Sequence, residues 1–311
     1  MTRVAAVDCG TNSVRLLITD LDGSGQRDVH REMRVVRLGQ GVDRTGRLDQ
    51  EALERTRVAL ADYAATCARL QVQRTRMVAT SATRDATNRE DFVVMVRATL
   101  GVDPEVISGD EEAALSFAGA TAGLDPADGP YLVVDIGGGS TEVVLGDTAV
   151  TASLSVDIGC VRLTERHLVS DPPTRLEIAA AQADIDTALD RVAASVPFAS
   201  ARTAIGLAGS VTTIAALSLG LDTYDRDRIH HARLTSEDVD RVAERVVAMT
   251  HEARAAMGAM HPGRVDVIGA GAMILQSLLA RFALAGILVS ESDILDGIAR
   301  SAVDTTAGSA P

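Results

Sequence analysis

The sequence contains no lysine; all 30 of its basic residues are arginine. A Walker A phosphate loop needs a lysine on the β- and γ-phosphates, so that class is excluded. Schiff-base and pyridoxal-phosphate chemistry, which run through a lysine amine, are excluded with it. Ala, Arg, Asp and Val dominate the chain, which points to base composition as the origin of the loss, but the exclusions hold whatever the origin. An excess of positive charge is also missing. The formal net charge is −13, which argues against nucleic-acid or membrane-surface binding, both of which want a basic face. Cysteine is scarce: Cys9, Cys67 and Cys160 are odd in number and widely spaced, so neither a disulfide framework nor a zinc site is expected. No apolar run reaches the ~18 residues of a membrane span. The nearest, "AGAMILQSLLARFALAGILV" (270–289), is interrupted by Gln276 and Arg281 and reads as a buried helix followed by a strand. The first residues show no charged n-region followed by an apolar h-region. A reduced, cytoplasmic protein is the expectation.

What is present is a globular chain of 311 residues, 46% hydrophobic, long enough for one or two domains. "RVAAVD" (3–8), "SVRLLITDLD" (13–22) and "VHREMRVVRLG" (29–39) read as a β-meander. Helical periodicity runs from Asp49 to Gln71, with apolar residues at Leu53, Val58, Leu60 and Tyr63. A strand at 76–80, a helix at 89–101, a strand at 104–108 and a helix at 110–124 follow. "DPADGP" (125–130) is the best linker. The pattern then restarts. "VAAVDCGTNSVRLLI" (4–18) and "YLVVDIGGGSTEVVL" (131–145) share one plan: apolar strand, Asp, one residue, Gly, small polar residues, apolar strand. An internal duplication of this kind suggests two similar α/β domains facing a cleft.

Glycines inside a strand–turn–strand weaken the strands, so something must need the backbone to come close. They let successive amides face an anion with no Cβ in the way, and Asn12, Ser13, Ser140 and Thr141 add side-chain donors. Asp8 and Asp135 cannot bind phosphate themselves but can hold Mg²⁺ or its water shell. Two ordinary hairpins with glycine turns fit the pattern too; the paired occurrence favours a phosphate clamp.

The motifs "DCGTNSVRLLI" (8–18), "ATSATRDATN" (79–88), "VISGDEEA" (106–113), "VVDIGGGSTE" (133–142), "GCVRLTE" (159–165) and "GLAGSVTTIAAL" (206–217) occur in that order. In this the chain resembles the exopolyphosphatase / guanosine pentaphosphate phosphatase (Ppx/GppA) family, in its short form without extra C-terminal domains. The resemblance covers residues 1 to about 300. It implies an α/β fold of two actin-like (ribonuclease H-like) domains, 1–126 and 127–311, with the last helix, about 292–303, packing on the first. It implies Glu112 as the catalytic glutamate that deprotonates a water, and Arg84 as a catalytic arginine gripping phosphate; an exposed carboxylate and an ordinary salt bridge are the alternatives. Glu111, three residues after Ser108, has a capping-box role available. Substrate contacts are expected from Gly10, Thr11, Asn12, Ser13 and Arg15, from Gly137, Gly138, Gly139, Ser140 and Thr141, and from Arg162, Gly209 and Ser210. Asp8, Asp135 and Glu142 are the expected metal-associated carboxylates, for Mg²⁺ or Mn²⁺. His230 and His231, with Arg226, Arg228 and Arg233, read as a solvated strand face or a track for a polyanion. The activity implied is hydrolysis of the terminal phosphoanhydride of polyphosphate, short chains above all. Guanosine pentaphosphate is the alternative substrate; a kinase of the same superfamily and a non-catalytic guanosine tetraphosphate sensor are more distant ones. A homodimer is implied by resemblance only.

Overall fold

The computed structural model of the chain describes residues 2–22 and 25–304. The chain divides into two compact units, Met1–Gly119 with Ile294–Pro311, and Ala120–Asp293.

In the first unit, β1 (Thr2–Cys9), β2 (Ser13–Asp22) and β3 (Gly25–Val35) form the antiparallel meander. The one-turn helix α1 (Val42–Thr45) and α2 (Gln50–Arg69) lead to β4 (Arg74–Ala79), which returns parallel to β1. Then come α3 (Ser81–Asp85), α4 (Arg89–Leu100), β5 (Glu105–Val106) and α5 (Gly109–Thr121). The sheet order is β3-β2-β1-β4-β5. Strand alternation splits β1 between two cores. Ala5, Val7 and Cys9 pack with Leu53, Leu60, Tyr63 and Cys67 of α2, whereas Val4 and Ala6 pack with Leu115 of α5. The buried stripe of α2 runs through Leu53, Thr56, Leu60, Tyr63 and Cys67 at helical spacing. Val58, five residues past Leu53, falls on the opposite side and is exposed, contrary to the sequence reading.

The second unit repeats the plan. β6 (Tyr131–Ile136), β7 (Thr141–Gly146) and β8 (Val150–Val156) form a meander, followed by α6 (Cys160–His167) and α7 (Arg175–Ser195). β9 (Thr203–Leu207) runs parallel to β6. After α8 (Ala208–Ser218) come α9 (Arg226–Ile229), β10 (Arg233–Thr235), α10 (Ser236–Ala248), α11 (His251–Ala255), α12 (Ile268–Arg281) and β11 (Gly286–Val289). Read from the meander edge, the sheet is β8-β7-β6-β9-β11-β10, so β10 is an antiparallel addition to the same order. This is the two-unit actin-like α/β fold. The apolar run at 270–289 is α12 and β11, as read. Its two polar interruptions reach surface partners: Gln276 donates to Asp240 and Arg281 pairs with Asp190. Among the described residues no helix is long and apolar enough to cross a membrane.

The last helix, α13 (Ile294–Asp304), belongs to the first unit, where Ile294, Leu295, Ile298 and Ala299 complete the core around Val4, Ala6, Leu17 and Leu115. Gly297 permits the approach: a Cβ there would lie 2.1 Å from the Leu115 carbonyl oxygen.

One buried carboxylate of this unit is held by two arginines. Asp20, on β2, accepts from Arg3 Nε and Nη2 at 2.7 and 3.0 Å and from Arg27 Nη2 at 2.7 Å. The Arg3 guanidinium, helped by Arg27, holds its carboxyl down to about 2 against the opposing effect of burial. A carboxyl held below its unfolded value near ~3.9 adds stability that is present above that pH and is lost as pH falls toward the folded value. Urea unfolding between pH 5 and pH 2 should therefore show wild type losing stability over about pH 4 to pH 2, and Asp20→Asn, destabilised at neutral pH, losing less across that window. Parallel curves would remove Asp20 from the acid response.

Candidate active site

The two hairpin turns are built alike. Gly10 N–H donates to the Ser13 carbonyl and Gly137 N–H to the Ser140 carbonyl, each at 3.0 Å. In both, the segment after the third strand ties back the turn's carbonyls. The Asn12 carbonyl accepts from Val36 and Arg37 N–H, and the Thr11 carbonyl from Gly39 N–H. Correspondingly, the Gly137 carbonyl accepts from Cys160 N–H and the Gly138 carbonyl from Val161 and Arg162 N–H. Arg162 Nε donates to the Gly139 carbonyl at 2.7 Å, and Thr141 Oγ1 to the Ile158 carbonyl at 2.6 Å. The two groups of one trans peptide point in opposite directions. Amides of Asn12, Ser13, Gly138, Gly139 and Ser140 are thus turned away from those tied carbonyls, which is the edge an anion needs. The first amides of α6 are spent on the turn, and the Arg162 side chain braces it.

Close approach explains two glycines that the sequence reading passed over. A Cβ on Gly159 would lie 2.3 Å from the Gly138 carbonyl oxygen, and one on Gly39 would lie 2.3 Å from Thr11 Cγ2. Their sequence signal is position: each closes the strand-end run, "RLG" and "DIG", that follows a meander.

The strand ends differ in one respect that matters. Asp8 and Arg15 are register partners across β1 and β2, and Arg15 Nε and Nη2 donate to Asp8 Oδ2 at 2.9 and 2.7 Å. Asp135 and Glu142 occupy the same places across β6 and β7, and both are buried. Directly opposed residues share one face of the sheet, and like charges there repel. Ser155 of β8, the next residue in the row, donates to Glu142 Oε1 at 2.7 Å. Unit 1 therefore has an ion pair at this place in its row, and unit 2 has two carboxylates side by side. Among the described residues no group of three or more His, Cys, Asp or Glu is arranged to hold a metal.

Arg84 and Glu112 meet at the carboxyl ends of the parallel strands β1, β4 and β5, where open α/β sheets place their ligands. Thr80 N–H donates to the Cys9 carbonyl and Ile107 N–H to the Ala79 carbonyl, which binds these three strand ends together. α3 then carries Arg84 back so that Nη1 donates to the Ile107 carbonyl at 2.9 Å and to Glu112 Oε2 at 3.0 Å. Glu112 is 8% exposed. Its neighbour Glu111 takes half of the expected capping box, its N–H donating to Ser108 Oγ, while its carboxylate pairs with Arg76.

In unit 2, α8 begins at a left-handed Ala208. Gly209 lies beneath the Arg264 guanidinium, which donates to the Gly209 carbonyl and to Thr213 Oγ1. Ser210 is buried, with its Oγ against Gly271. The sequence reading missed Arg264, and nothing in "HPGR" marks it. It missed as well the pair at the end of β11, where the Tyr224 hydroxyl donates to Glu291 and burial pushes the Glu291 carboxyl up. The His230 patch is not a strand face: Arg226 and Arg228 lie on α9, His230 caps it, His231 follows at φ 63°, and only Arg233 is on a strand. Cys9, Cys67 and Cys160 are free and buried, and burial pushes the Cys160 thiol up.

A family model described as the Ppx/GppA phosphatase family matches residues 17–305. Exopolyphosphatase 2 of Mycobacterium tuberculosis is 51% identical over 314 residues, spanning 97% of this chain and 98% of that one. The crystal structure of an exopolyphosphatase-like protein superposes with a TM-score of 0.93 at 46% identity, covering 96% of this chain and 97% of the other. A Ppx/GppA family member from Aquifex aeolicus superposes with a TM-score of 0.82 at 32% identity over 99% of both chains.

The tied-back turn is testable through Gly159→Ala. Its Cβ cannot fit without moving the Gly138 peptide, so a loss of about 1–3 kcal/mol in urea unfolding is expected, with weaker pyrophosphate binding by calorimetry. Gly269→Ala on α12, whose Cβ would sit 3.9 Å from Val247, should change neither. Unaltered binding in Gly159→Ala would show that the turn's carbonyl ties do not matter to its anion edge.

Proposed function

The chain belongs to the Ppx/GppA phosphatase family, and we propose on that footing that it is an exopolyphosphatase, a hydrolase that cleaves the terminal phosphoanhydride of inorganic polyphosphate and releases orthophosphate. The observation that carries the reading is the buried Glu112 carboxylate paired with Arg84 at the strand ends of unit 1. Phosphoryl transfer needs positioning and charge neutralisation more than covalent chemistry. Glu112 can orient a water and take its proton as the water oxygen attacks the terminal phosphorus. The bridging P–O bond breaks, and its electron pair leaves with the shortened chain. Arg84 grips phosphate oxygens with donors that stay charged at any working pH. Turn amides, with Ser13 and Ser140, are uncharged donors suited to phosphate oxygens; the Thr141 hydroxyl, expected as a further donor, is instead buried and spent on the Ile158 carbonyl.

The donor set fits a divalent ion in one place better than the other. Mg²⁺ is commonly held by one or two carboxylates, its remaining positions going to water and substrate phosphates, and Asp135 with Glu142 offers that pair. Arg15 takes Asp8 Oδ2; we assign the ion, Mg²⁺ or Mn²⁺, to the unit 2 pair because it offers two carboxylates, and give Asp8 the role of orienting Arg15. When bound, the ion offsets the negative charge of the phosphate chain. Short chains are the preferred substrate in this reading, and guanosine pentaphosphate the competing one. Three buried free thiols suit a reducing, cytoplasmic setting; a homodimer is proposed on family resemblance.

Phosphate release from polyphosphates of defined length, guanosine pentaphosphate and ATP, compared side by side, tests the substrate; faster release from guanosine pentaphosphate than from any polyphosphate would reassign it. Glu112→Gln should lower kcat by ~10²–10⁴-fold, and wild-type turnover in that variant would remove Glu112 from the chemistry. Asp135→Asn should weaken Mn²⁺ binding, read directly by electron paramagnetic resonance, by at least about tenfold, the scale on which even outer-sphere changes act. Asp8→Asn should weaken it far less; the reverse order would move the ion to unit 1.

A further inference from the structure

The contact between Arg84 and Glu112 sets the two residues against each other. Arg84 Nη1 serves the Ile107 carbonyl and Glu112 Oε2 at once. A backbone carbonyl fixed at the end of β5 cannot withdraw, because Ile107 N–H is itself bonded to Ala79 of β4. A carboxylate on a side chain can. The pair is largely enclosed, the Arg84 side chain 24% and the Glu112 side chain 11% exposed. A phosphate oxygen reaching this arginine must therefore compete with Glu112 and not with water alone.

We infer that Arg84 is a substrate-operated latch on Glu112: at rest it neutralises the carboxylate, and an arriving terminal phosphate takes the guanidinium and releases the carboxylate to act on water. This rests on the roles proposed above for the two residues and adds their order. The Ile107 carbonyl is the pivot that keeps the guanidinium in place while its anion is exchanged. Phosphate carries more charge than carboxylate and accepts the bidentate fork equally well, so the exchange is favourable. A carboxylate that gives up an arginine contact in an enclosed position is also the stronger base. The base is thus quiet in the empty enzyme and armed when a phosphate is present to be attacked.

The latch makes a prediction that a simple phosphate-gripping arginine does not. In Glu112→Gln the substrate has no carboxylate to displace, so tripolyphosphate, titrated calorimetrically in EDTA so that nothing turns over, should bind about fivefold tighter than to wild type, the scale of a partly exposed ion pair. Removing a nearby negative charge could tighten binding by itself, and a double-mutant cycle separates the two causes. With Arg84→Ala as the background, or Arg84→Met where the alanine protein does not fold, plain repulsion predicts that adding Glu112→Gln tightens binding as much or more, since the carboxylate is then unneutralised. The latch predicts that the gain vanishes. Equal Kd values for wild type and Glu112→Gln, absence of binding from both, or a gain that persists without Arg84 would each overturn the latch. The base assignment is read separately, by turnover: a Glu112→Gln enzyme that binds tighter yet turns over like wild type would sink the base and leave the competition standing.

Discussion

The period of two in a β-strand governs the chemistry of both units. It puts Asp8 opposite Arg15 and Asp135 opposite Glu142 on one face of their sheets, and it sends the neighbouring apolar residues to the other face. On β6 and β7, Leu132, Val134, Ile136, Val143 and Leu145 enter the core, and the intervening positions carry the carboxylates. A one-residue slip of either hairpin would turn the charges into that core and its apolar residues to the opposite face. The register is held from two sides, by the core and by the glycine turn, whose Gly-to-Ser hydrogen bond is the same in both units.

That common frame makes the one difference between the hairpins informative. An Asp–Arg row brings opposite charges together. An Asp–Glu row brings like charges together across the strands, which repel. The fold thus fixes equivalent positions, and a single residue type, arginine at 15 or glutamate at 142, decides whether the aspartate faces a cation or a second carboxylate. Arg84 and Glu112 follow the first solution: a buried carboxylate with its own arginine, held by atoms of three adjacent strand ends.

Much of this was legible in the sequence. Strand and helix patterns placed the meanders, the crossover helices and the α12–β11 pair, because core burial imposes periods of two and 3.6. The opposition of Asp135 and Glu142 follows from their symmetric distance about the turn, as does that of Asp8 and Arg15, although the motif alone presents both aspartates as equal ligands. What the sequence hides is contact between segments far apart in it. Arg84 and Glu112 lie 28 residues apart, Arg264 lies 55 residues from Gly209, and no local pattern announces either meeting. Val58 was misplaced because a lone valine is tolerated on a solvated helix face. The histidine pair was misplaced because two histidines among arginines have no periodicity to read, and the chain there turns through a left-handed residue.

The net charge of −13 would seem to oppose any polyanion, but it is a property of the whole surface, and charges are screened beyond ~10 Å at moderate salt. What a phosphate meets is local. Many outward arginines are spent on carboxylates: Arg57 on Glu54, Arg97 on Asp103, Arg241 on Asp238 and Arg281 on Asp190. Three arginines near the turns and strand ends are engaged differently. Arg162 and Arg264 donate to backbone carbonyls. Arg84 divides itself between a carbonyl and a carboxylate that can be displaced. Surface acidity then discourages indiscriminate contact with nucleic acid and other polyanions, while a small phosphate terminus meets the local setting of an arginine and not the average of the surface.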